Sequence, residues 1–237
     1  MTTDVVGMQI PGLIRSRERR EILALFVQDP DKEYYQRELE RRLGISVGNI
    51  RRELNRLQLE GLVESRRFGN LVLFKLNKRH PLYRDYRGII LKTAGVAFQI
   101  REALLPLKEK GLRLAMIFGS YAHAMAGVKG AHWSSERDVD LMFVTAGSGR
   151  EVGRVLSSRK GLKGLRIEPV GYDVSEFEKR IGERHHFIQE VLSKPIIPLV
   201  GFGEEVELRP IRVDRRRLQG LIRGWKHEWR RVESTLR

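Results

Sequence analysis

The sequence predicts an α+β fold in two parts, and two patterns indicate it. In the first third, three segments have apolar residues at helical spacing, and two apolar-rich runs separated by a glycine follow them. This order predicts three helices and then a β-hairpin. Further along, the apolar run 114–118 ends in Gly119 and Ser120, and another apolar run starts at Asp138, 18 residues after Ser120. Two such runs separated by a helix-sized gap indicate strands of a buried sheet.

Composition limits the classes of protein that the chain can belong to. With 237 residues, of which 41% are hydrophobic, it can form one large or two small domains. The absence of cysteine excludes disulfides, thiolate catalysis and cysteine-based zinc sites. No apolar run approaches the ~20 residues that span a bilayer, and the first residues lack the pattern of a secretory signal. We therefore expect a cytoplasmic protein without a membrane partner.

The net charge of +15 is concentrated in the two ends of the chain. Residues 1–95 carry 19 basic and 12 acidic side chains, a net +7, and residues 206–237 carry 10 and 4, a net +6. The segment between them, with 16 basic and 14 acidic side chains, is nearly balanced. A basic excess of this kind favours polyanionic partners such as nucleic acid.

The helical segments of the first third have the spacing of a helix-turn-helix. Residues 21–26 and 35–43 predict two helices, and Gly44 and Ser46 suit a helix end followed by an N-cap. Residues 47–60 predict a third helix with an apolar side and a polar side. The apolar side is formed by Val47, Ile50, Leu54 and Leu57, and the polar side by Asn49, Arg51, Arg52, Asn55 and Arg56. Residues 62–67 and 71–76 predict two strands.

This series resembles a winged helix-turn-helix of the kind found in ArsR- and MarR-like regulators, over residues 12–80. The resemblance implies that the third helix enters the major groove of double-stranded DNA and that the hairpin, with Arg66 and Arg67, contacts the backbone or minor groove. Arginine pairs well with guanine edges and asparagine with adenine edges. The alternative is a winged helix used only for protein contacts or dimerisation.

The acidic residues of the second part have the spacing of a metal site. Residues at i and i+2 of a strand point to the same face, so Asp138 and Asp140 would project together. Paired carboxylates suit Mg²⁺, which takes one or two of them together with substrate phosphates. Gly119 and Ser120 supply backbone N–H groups and a hydroxyl for a phosphate. The pattern therefore favours metal-assisted nucleotidyl transfer.

The order of Gly-Ser and Asp-x-Asp resembles the minimal nucleotidyltransferases of the DNA polymerase β-like superfamily. The resemblance implies that Gly119 and Ser120 hold the triphosphate of ATP or another nucleotide, and that Asp138 and Asp140 bind Mg²⁺ and act in catalysis. It also implies a third catalytic carboxylate, for which Glu168 is the main candidate and Asp173, which reads better as a helix N-cap, the weaker one. The chain differs from the family in having His123 where arginine is usual.

The remaining segments connect and extend these two parts. Residues 81–110 predict a helical linker, broken at Pro106, that could also pair two copies of the chain into a homodimer. The transferase-like domain is predicted over residues 111–203. Residues 204–237 predict a basic amphipathic helix with apolar residues at offsets of three and four, from Leu218 to Val232. Docking on its own domain is the favoured interpretation of this helix. The alternatives are a helix that binds a partner or faces nucleic acid and, from its basic and Trp-bearing character, a helix that lies on a membrane surface.

Together these features indicate a DNA-binding transcriptional regulator whose second domain binds a metal–nucleotide complex. One alternative is an active Mg²⁺-dependent nucleotidyltransferase that modifies a protein or nucleic acid, with the winged helix holding its target. Another is a degenerate transferase fold that acts as an antitoxin-like interaction module.

Overall fold

A computed structural model describes residues 16–131, 133, 138–159, 162, 165–203 and 208–235, with side chains as far as residue 225. The chain forms mixed α and β structure with two sheets, as the predicted α+β class requires. It divides into two compact units at Phe98 and Gln99, inside the predicted linker. Residues 12–15 and 204–207, which the sequence analysis assigned to domains, lie outside the described residues.

The first unit contains four helices and a three-stranded sheet among its described residues. In chain order these are α1 (Arg17–Gln28), β1 (Tyr34–Tyr35), α2 (Gln36–Leu43), α3 (Val47–Leu59), β2 (Val63–Phe68), β3 (Leu71–Leu76) and α4 (Tyr83–Thr93). The strand order is β1-β3-β2, with antiparallel neighbours. Tyr35, predicted to begin the second helix, instead pairs with Leu73 as part of a short strand.

The turn between α2 and α3 forms as its residues predict. Gly44 ends α2 in the left-handed region, at φ 65°, which glycine adopts without steric cost. The Ser46 hydroxyl then accepts a hydrogen bond from the Asn49 backbone N–H at 3.4 Å and caps α3. Ile50 and Leu54 are buried in the core of the unit, whereas Val47, predicted to be buried, is only partly so because it lies in the first turn of α3.

The second unit is built on a four-stranded mixed sheet, as predicted. Its elements are α5 (Val96–Leu104, which spans the division between units), a 3-10 helix (Leu105–Lys108), β4 (Leu112–Phe118), α6 (Gly119–Met125), β5 (Val139–Thr145), α7 (Gly149–Ser158), β6 (Ile167–Tyr172), α8 (Val174–Gly182), α9 (His186–Ser193), β7 (Ile197–Val200) and α10 (Arg215–Thr235). The strand order is β6-β5-β4-β7. The pair β5–β6 is parallel, and β4 is antiparallel to both of its neighbours.

The predicted linker does not form one helix kinked at Pro106. The helix breaks at Ala94 and Gly95, between α4 and α5, and a Cβ on Gly95 would lie 2.6 Å from the carbonyl oxygen of Leu91. Pro106 lies instead in the first turn of the 3-10 helix, where the missing N–H costs no hydrogen bond. The helix α4 packs against α1 in the first unit, so this part of the linker belongs to a core.

The helix α10 docks on its own unit over its described side chains. Leu218 and Ile222 are buried in the same core as Phe177 of α8, and Trp225 packs against that core. The boundary predicted at residue 204 is therefore not a boundary of the core. The predicted apolar residues Trp229 and Val232 have side chains outside the described set. Within the described residues, no helix is both long and apolar enough to cross a membrane.

Candidate functional site

The register of the second sheet brings the predicted acidic residues together. The strand β5 begins beside the end of β4, where Asp140 pairs with Phe118. On its other side β5 runs parallel to β6, and Asp140 pairs with Glu168. We call Asp138, Asp140 and Glu168 the carboxylate cluster. Because Gly119 follows Phe118 directly, the Gly-Ser turn and this cluster lie at the same edge of the sheet.

Gly119 is fitted closely to Asp140. Its φ of +68° lies in the left-handed region, and a Cβ at this position would stand 2.0 Å from Oδ2 of Asp140. A side chain here would therefore collide with the carboxylate in addition to straining the backbone. Ser120 follows as the second residue of α6 and is half-buried. The glycine thus creates the space that the Asp140 carboxylate occupies.

Asp138 lies just before β5 and is held from two sides. The buried Trp133 donates a hydrogen bond from its indole Nε1 to the Asp138 carbonyl oxygen at 3.2 Å, and its ring meets Tyr121 of α6 edge-on. Nε of Arg166 lies 2.6 Å from Oδ1 of Asp138 as an ion pair. The same Oδ1 atom has no aligned hydrogen-bond donor, so the contact with Arg166 is one of charge rather than of hydrogen-bond geometry.

Burial and neighbouring charges shift the pKa values of two groups at the cluster, Asp140 and His123. Burial raises the pKa of Asp140, and the negative charges of Asp138 and Glu168 raise it further. Burial lowers the pKa of His123, and the nearby Lys194 lowers it further, against the opposing effect of Asp140. His123 Nε2 is buried without a hydrogen-bond partner. The three carboxylates therefore share one electrostatic environment, bordered by a neutral imidazole.

The described residues do not supply a complete set of protein ligands for a metal ion. No group of three or more His, Cys, Asp or Glu side chains among the described residues could hold a metal ion, so Glu168 does not join the two aspartates as a ligand. Glu168 is exposed on β6, while Asp173 caps α8 by accepting a hydrogen bond from the Glu176 N–H at 2.6 Å. Two hard oxygen donors match Mg²⁺, which keeps waters and phosphate oxygens as its other ligands.

Arg166 and Lys194 are two residues near the cluster that the sequence analysis did not single out. Arg166 stands two residues before Glu168, the same spacing that separates Asp138 from Asp140. That alternation places Arg166 on the same face of β6 as Glu168 and could have identified it. Lys194 follows α9 and pairs with Glu190 at 2.8 Å. Its effect on His123 depends on packing that no local spacing reveals.

In the first unit, the polar side of α3 is open to solvent. Its members Arg51, Arg52, Asn55 and Arg56 are exposed and Asn49 is half-buried, and we call these five residues the α3 polar face. Asn49 Oδ1 accepts a hydrogen bond from Arg52 at 2.5 Å, and Arg56 lies 3.4 Å from Glu53. These residues lie opposite the buried side of the helix, as their spacing in the sequence predicted.

The buried Glu53 connects this helix to α1. Arg19 of α1 donates a hydrogen bond to Glu53 at 3.0 Å and also pairs with Glu60, and the side chains of Arg19 and Glu53 are only 11% and 6% exposed. Because the pair spans 34 residues of sequence, it fixes the orientation of α3 against α1. Neither residue was identified from the sequence, since each looks like an ordinary charged position on a helix surface.

The two predicted arginines of the β2–β3 hairpin differ in their surroundings. Arg66 forms a two-point ion pair with Glu33, at 2.8 and 2.5 Å, and its guanidinium lies 5.5 Å from the ring centre of Phe68. Arg67 is exposed. Near the hairpin turn, Phe68 is 65% exposed and Leu71 is 46% exposed. The partner of Arg66 and the apolar tip were not foreseen from the sequence.

Comparisons with known proteins add little to this description. No protein-family model matches the chain, and no curated protein is significantly similar to it. Among solved structures, the chain is similar to a double mutant of Lactococcus lactis ZitR, with 21% sequence identity and a TM-score of 0.30. The similarity covers 40% of this chain and 62% of that one.

Proposed function

We propose that the protein is a transcriptional regulator that binds double-stranded DNA through its first unit and a metal–nucleotide complex through its second. The α3 polar face is the single observation that carries this proposal. Three arginines and an asparagine are exposed on one side of a helix whose other side is buried in the core. The helix is preceded by a short helix and a tight turn, which is the arrangement of a helix-turn-helix.

The chemistry of this face suits DNA in two ways. Exposed guanidinium groups neutralise phosphates and can form two hydrogen bonds with guanine, while Asn55 can pair with adenine. The Arg19–Glu53 pair holds α3 from behind, so that the face is presented on a fixed element. In the hairpin, Arg67 is exposed and provides a second basic contact, whereas Arg66 is occupied by Glu33.

The second unit supports the nucleotide part of the proposal. Asp138 and Asp140 would hold the Mg²⁺, and Gly119 and Ser120 would offer a backbone N–H and a hydroxyl to the phosphates. Mg²⁺ bound there would neutralise phosphate charge and orient the phosphates. The space that Gly119 leaves for the Asp140 carboxylate is the feature that supports this assignment.

The DNA part is tested by replacing Arg51, Arg52 and Arg56 with alanine. We expect weaker binding to a labelled duplex and a log Kd that changes less steeply with log salt, by about 0.9 for each arginine that contacts a phosphate. The matched control replaces Arg84, Arg87 and Lys92 of α4, which removes the same charge from another helix of the same unit. Equal losses in the two triple variants would show that only net charge matters and would reject the assignment of α3.

A nucleotidyltransferase is the second candidate function, and the position of Glu168 favours it. This carboxylate is exposed on β6 and lies beside Asp140 in the sheet. It is not one of the two proposed cation ligands, Asp138 and Asp140. It can therefore accept the proton of an acceptor hydroxyl while the aspartates hold the cation. In a transfer assay with labelled ATP, Glu168→Gln should keep nucleotide binding and lose transfer. If the wild type binds nucleotide without transferring it, the function is that of a sensor.

A further inference from the structure

The edges of β5 and β6 carry two charged pairs in succession. Asp140 pairs with Glu168 in the parallel register, and two residues earlier Asp138 faces Arg166. Because residues at i and i+2 share a face of the sheet, all four side chains project from the same face. Three are carboxylates, and Arg166, which directly precedes β6, is the one cation among the four. The guanidinium therefore contacts Oδ1 of Asp138, one of the carboxylate oxygens that a cation held by Asp138 could use.

The arginine side chain is not needed to hold the strands together. The Val139 backbone N–H donates to the Arg166 carbonyl oxygen at 2.8 Å, and the ladder continues from Val139–Ile167 to Val144–Tyr172. The Arg166 side chain is 71% exposed, against 39% for Asp138. An exposed ion pair of this kind contributes little to stability. The contact of Arg166 with the carboxylate cluster therefore points to a function in binding rather than in stability.

We propose that Arg166 neutralises Asp138 while the site lacks a cation, and that it moves to a phosphate of the nucleotide when the cation binds. This inference rests on the proposed nucleotide site. Asp138 and Asp140 would hold the cation, and the Arg166 guanidinium would then be repelled from its 2.6 Å contact with Asp138. A phosphate held at these two aspartates through the cation would be within reach of that guanidinium, whose planar, paired N–H groups can each donate to a phosphate oxygen. Arg166 is thus a binding residue that changes its partner.

The exchange makes two opposite predictions for one substitution. In Arg166→Gln, the competitor of the cation is gone, so free cation should bind more tightly. The same variant lacks the phosphate contact, so nucleotide should bind more weakly in the presence of the cation. A residue with only a structural role would shift both affinities in the same direction, through loss of the fold. Because the affinities for the cation and for the nucleotide should change in opposite directions, the two measurements distinguish the proposed change of partner from loss of the fold.

The first measurement uses Mn²⁺ as the probe, because its free and bound forms are distinguished by electron paramagnetic resonance. On the full chain, Arg166→Gln should lower the Kd for Mn²⁺ by about three- to tenfold, the range expected from releasing a partly exposed ion pair and removing one positive charge. The control Arg216→Gln removes the same charge from the exposed side of α10 and should change the Kd less than twofold. An unchanged or higher Kd in Arg166→Gln overturns the proposal.

The second measurement is calorimetry with ATP in excess Mg²⁺. Arg166→Gln should raise the Kd for ATP by about tenfold, as expected for the loss of a charge-assisted contact with phosphate. Arg166→Lys keeps the charge without the paired N–H groups and should lie between the wild type and the glutamine variant. Unchanged ATP affinity in Arg166→Gln overturns the exchange, since the guanidinium would then have no phosphate to move to.

The design also separates failure of this inference from failure of the proposed site. Asp138→Asn and Asp140→Asn should abolish Mn²⁺ binding in any background. If the wild type and Arg166→Gln both fail to bind Mn²⁺, the nucleotide site and the exchange are both rejected. DNA binding by the first unit is tested independently, by its salt titration. If the wild type binds Mn²⁺ and ATP but Arg166→Gln behaves as the wild type does, only the exchange is rejected.

Discussion

The Asp140 carboxylate packs directly against the backbone of Gly119. The Asp140 carboxylate approaches the Gly119 backbone so closely that a Cβ there would lie 2.0 Å from Oδ2, and Gly119 has a φ of +68°. The register of the sheet brings the two residues together, since Asp140 of β5 pairs with Phe118 at the end of β4 and Gly119 follows Phe118 as the first residue of α6. The position of the carboxylate therefore depends on the residue that ends the neighbouring strand.

The first prediction is that Gly119→Ala displaces the Asp140 carboxylate. The variant should lose Mn²⁺ binding by at least tenfold and should lose roughly 1–2 kcal/mol of stability from the left-handed backbone alone. Gly127→Ala is the matched control, because Gly127 has the same φ of +68° but no atom within 4 Å of its added Cβ. Chemical denaturation and Mn²⁺ titration of both variants check the prediction.

The two variants separate backbone strain from collision. Both should lose a similar amount of stability through the left-handed conformation, and only Gly119→Ala should also lose the cation. Equal Mn²⁺ affinity in Gly119→Ala and Gly127→Ala would contradict the close approach of Asp140 as a requirement of the site.

The second prediction follows from the raised pKa of Asp140, which burial causes and the charges of Asp138 and Glu168 increase. A carboxyl group whose pKa is higher in the folded state favours folding when protonated, and that advantage is lost as the pH rises through its folded pKa. Asp140→Asn should therefore raise Tm at pH 7 by about 1–3 °C, a small shift for a chain of this size. The gain should disappear below the ordinary aspartate pKa of 3.8.

Thermal denaturation of Asp140→Asn and the wild type across pH, without divalent cation, measures this difference. Saturating Mg²⁺ should reverse its sign at pH 7, because the cation stabilises only the protein that retains the carboxylate. A gain in Tm of the same size at low and neutral pH would mean that the asparagine acts through packing and not through charge.

The sequence predicted most of the features that depend on local pattern. The turn before α3 was predicted from Gly44 and Ser46, and the strands β4 and β5 were predicted from their apolar runs. These elements depend on local backbone sterics and on the periodicity of apolar residues. Asp173 was correctly favoured as an N-cap, since a carboxylate followed three residues later by glutamate fits a helix start.

Features that depend on contacts distant in sequence were not predicted. The pairing of Arg166 with Asp138 requires the parallel register of β5 and β6, and the pairing of Arg66 with Glu33 joins residues 33 apart. The helix break at Gly95 was missed in favour of Pro106, because proline is a strong local signal and a close approach to Leu91 is invisible in sequence. The candidate site residues were thus predicted from residue type and spacing, whereas the residues that pair with them were not, because those contacts depend on the folded structure.

The third prediction concerns the buried ion pair behind α3. Arg19→Ala removes the main partner of the buried Glu53 and should destabilise the chain by roughly 2–4 kcal/mol, since a buried charge without its partner is costly. Arg19→Ala combined with Glu53→Gln should recover part of that loss, because the uncompensated charge is removed. The measurement is the free energy of unfolding in urea, and full additivity of the two substitutions would contradict the coupling.

The last prediction concerns the hairpin, where Glu33 holds Arg66 in a two-point ion pair. The hydrogen bond from Arg66 lowers the pKa of Glu33, and the Glu33 carboxylate competes with phosphate for the Arg66 guanidinium. Arg67→Ala should therefore weaken DNA binding more than Arg66→Ala does. Glu33→Gln should strengthen DNA binding by about two- to fivefold, because it frees the Arg66 guanidinium to contact a phosphate. The expected gain is small because an exposed ion pair is weak.

Removing any acidic residue near DNA strengthens binding, so the release of Arg66 needs its own control. A double-mutant cycle supplies it: Glu33→Gln is measured in the wild type and in Arg66→Ala, by fluorescence anisotropy at two salt concentrations. If Glu33 acts by holding Arg66, the gain shrinks when Arg66 is absent. If the gain is the same in both backgrounds, Glu33 repels DNA directly, and Arg66 has no role in binding that its release could restore.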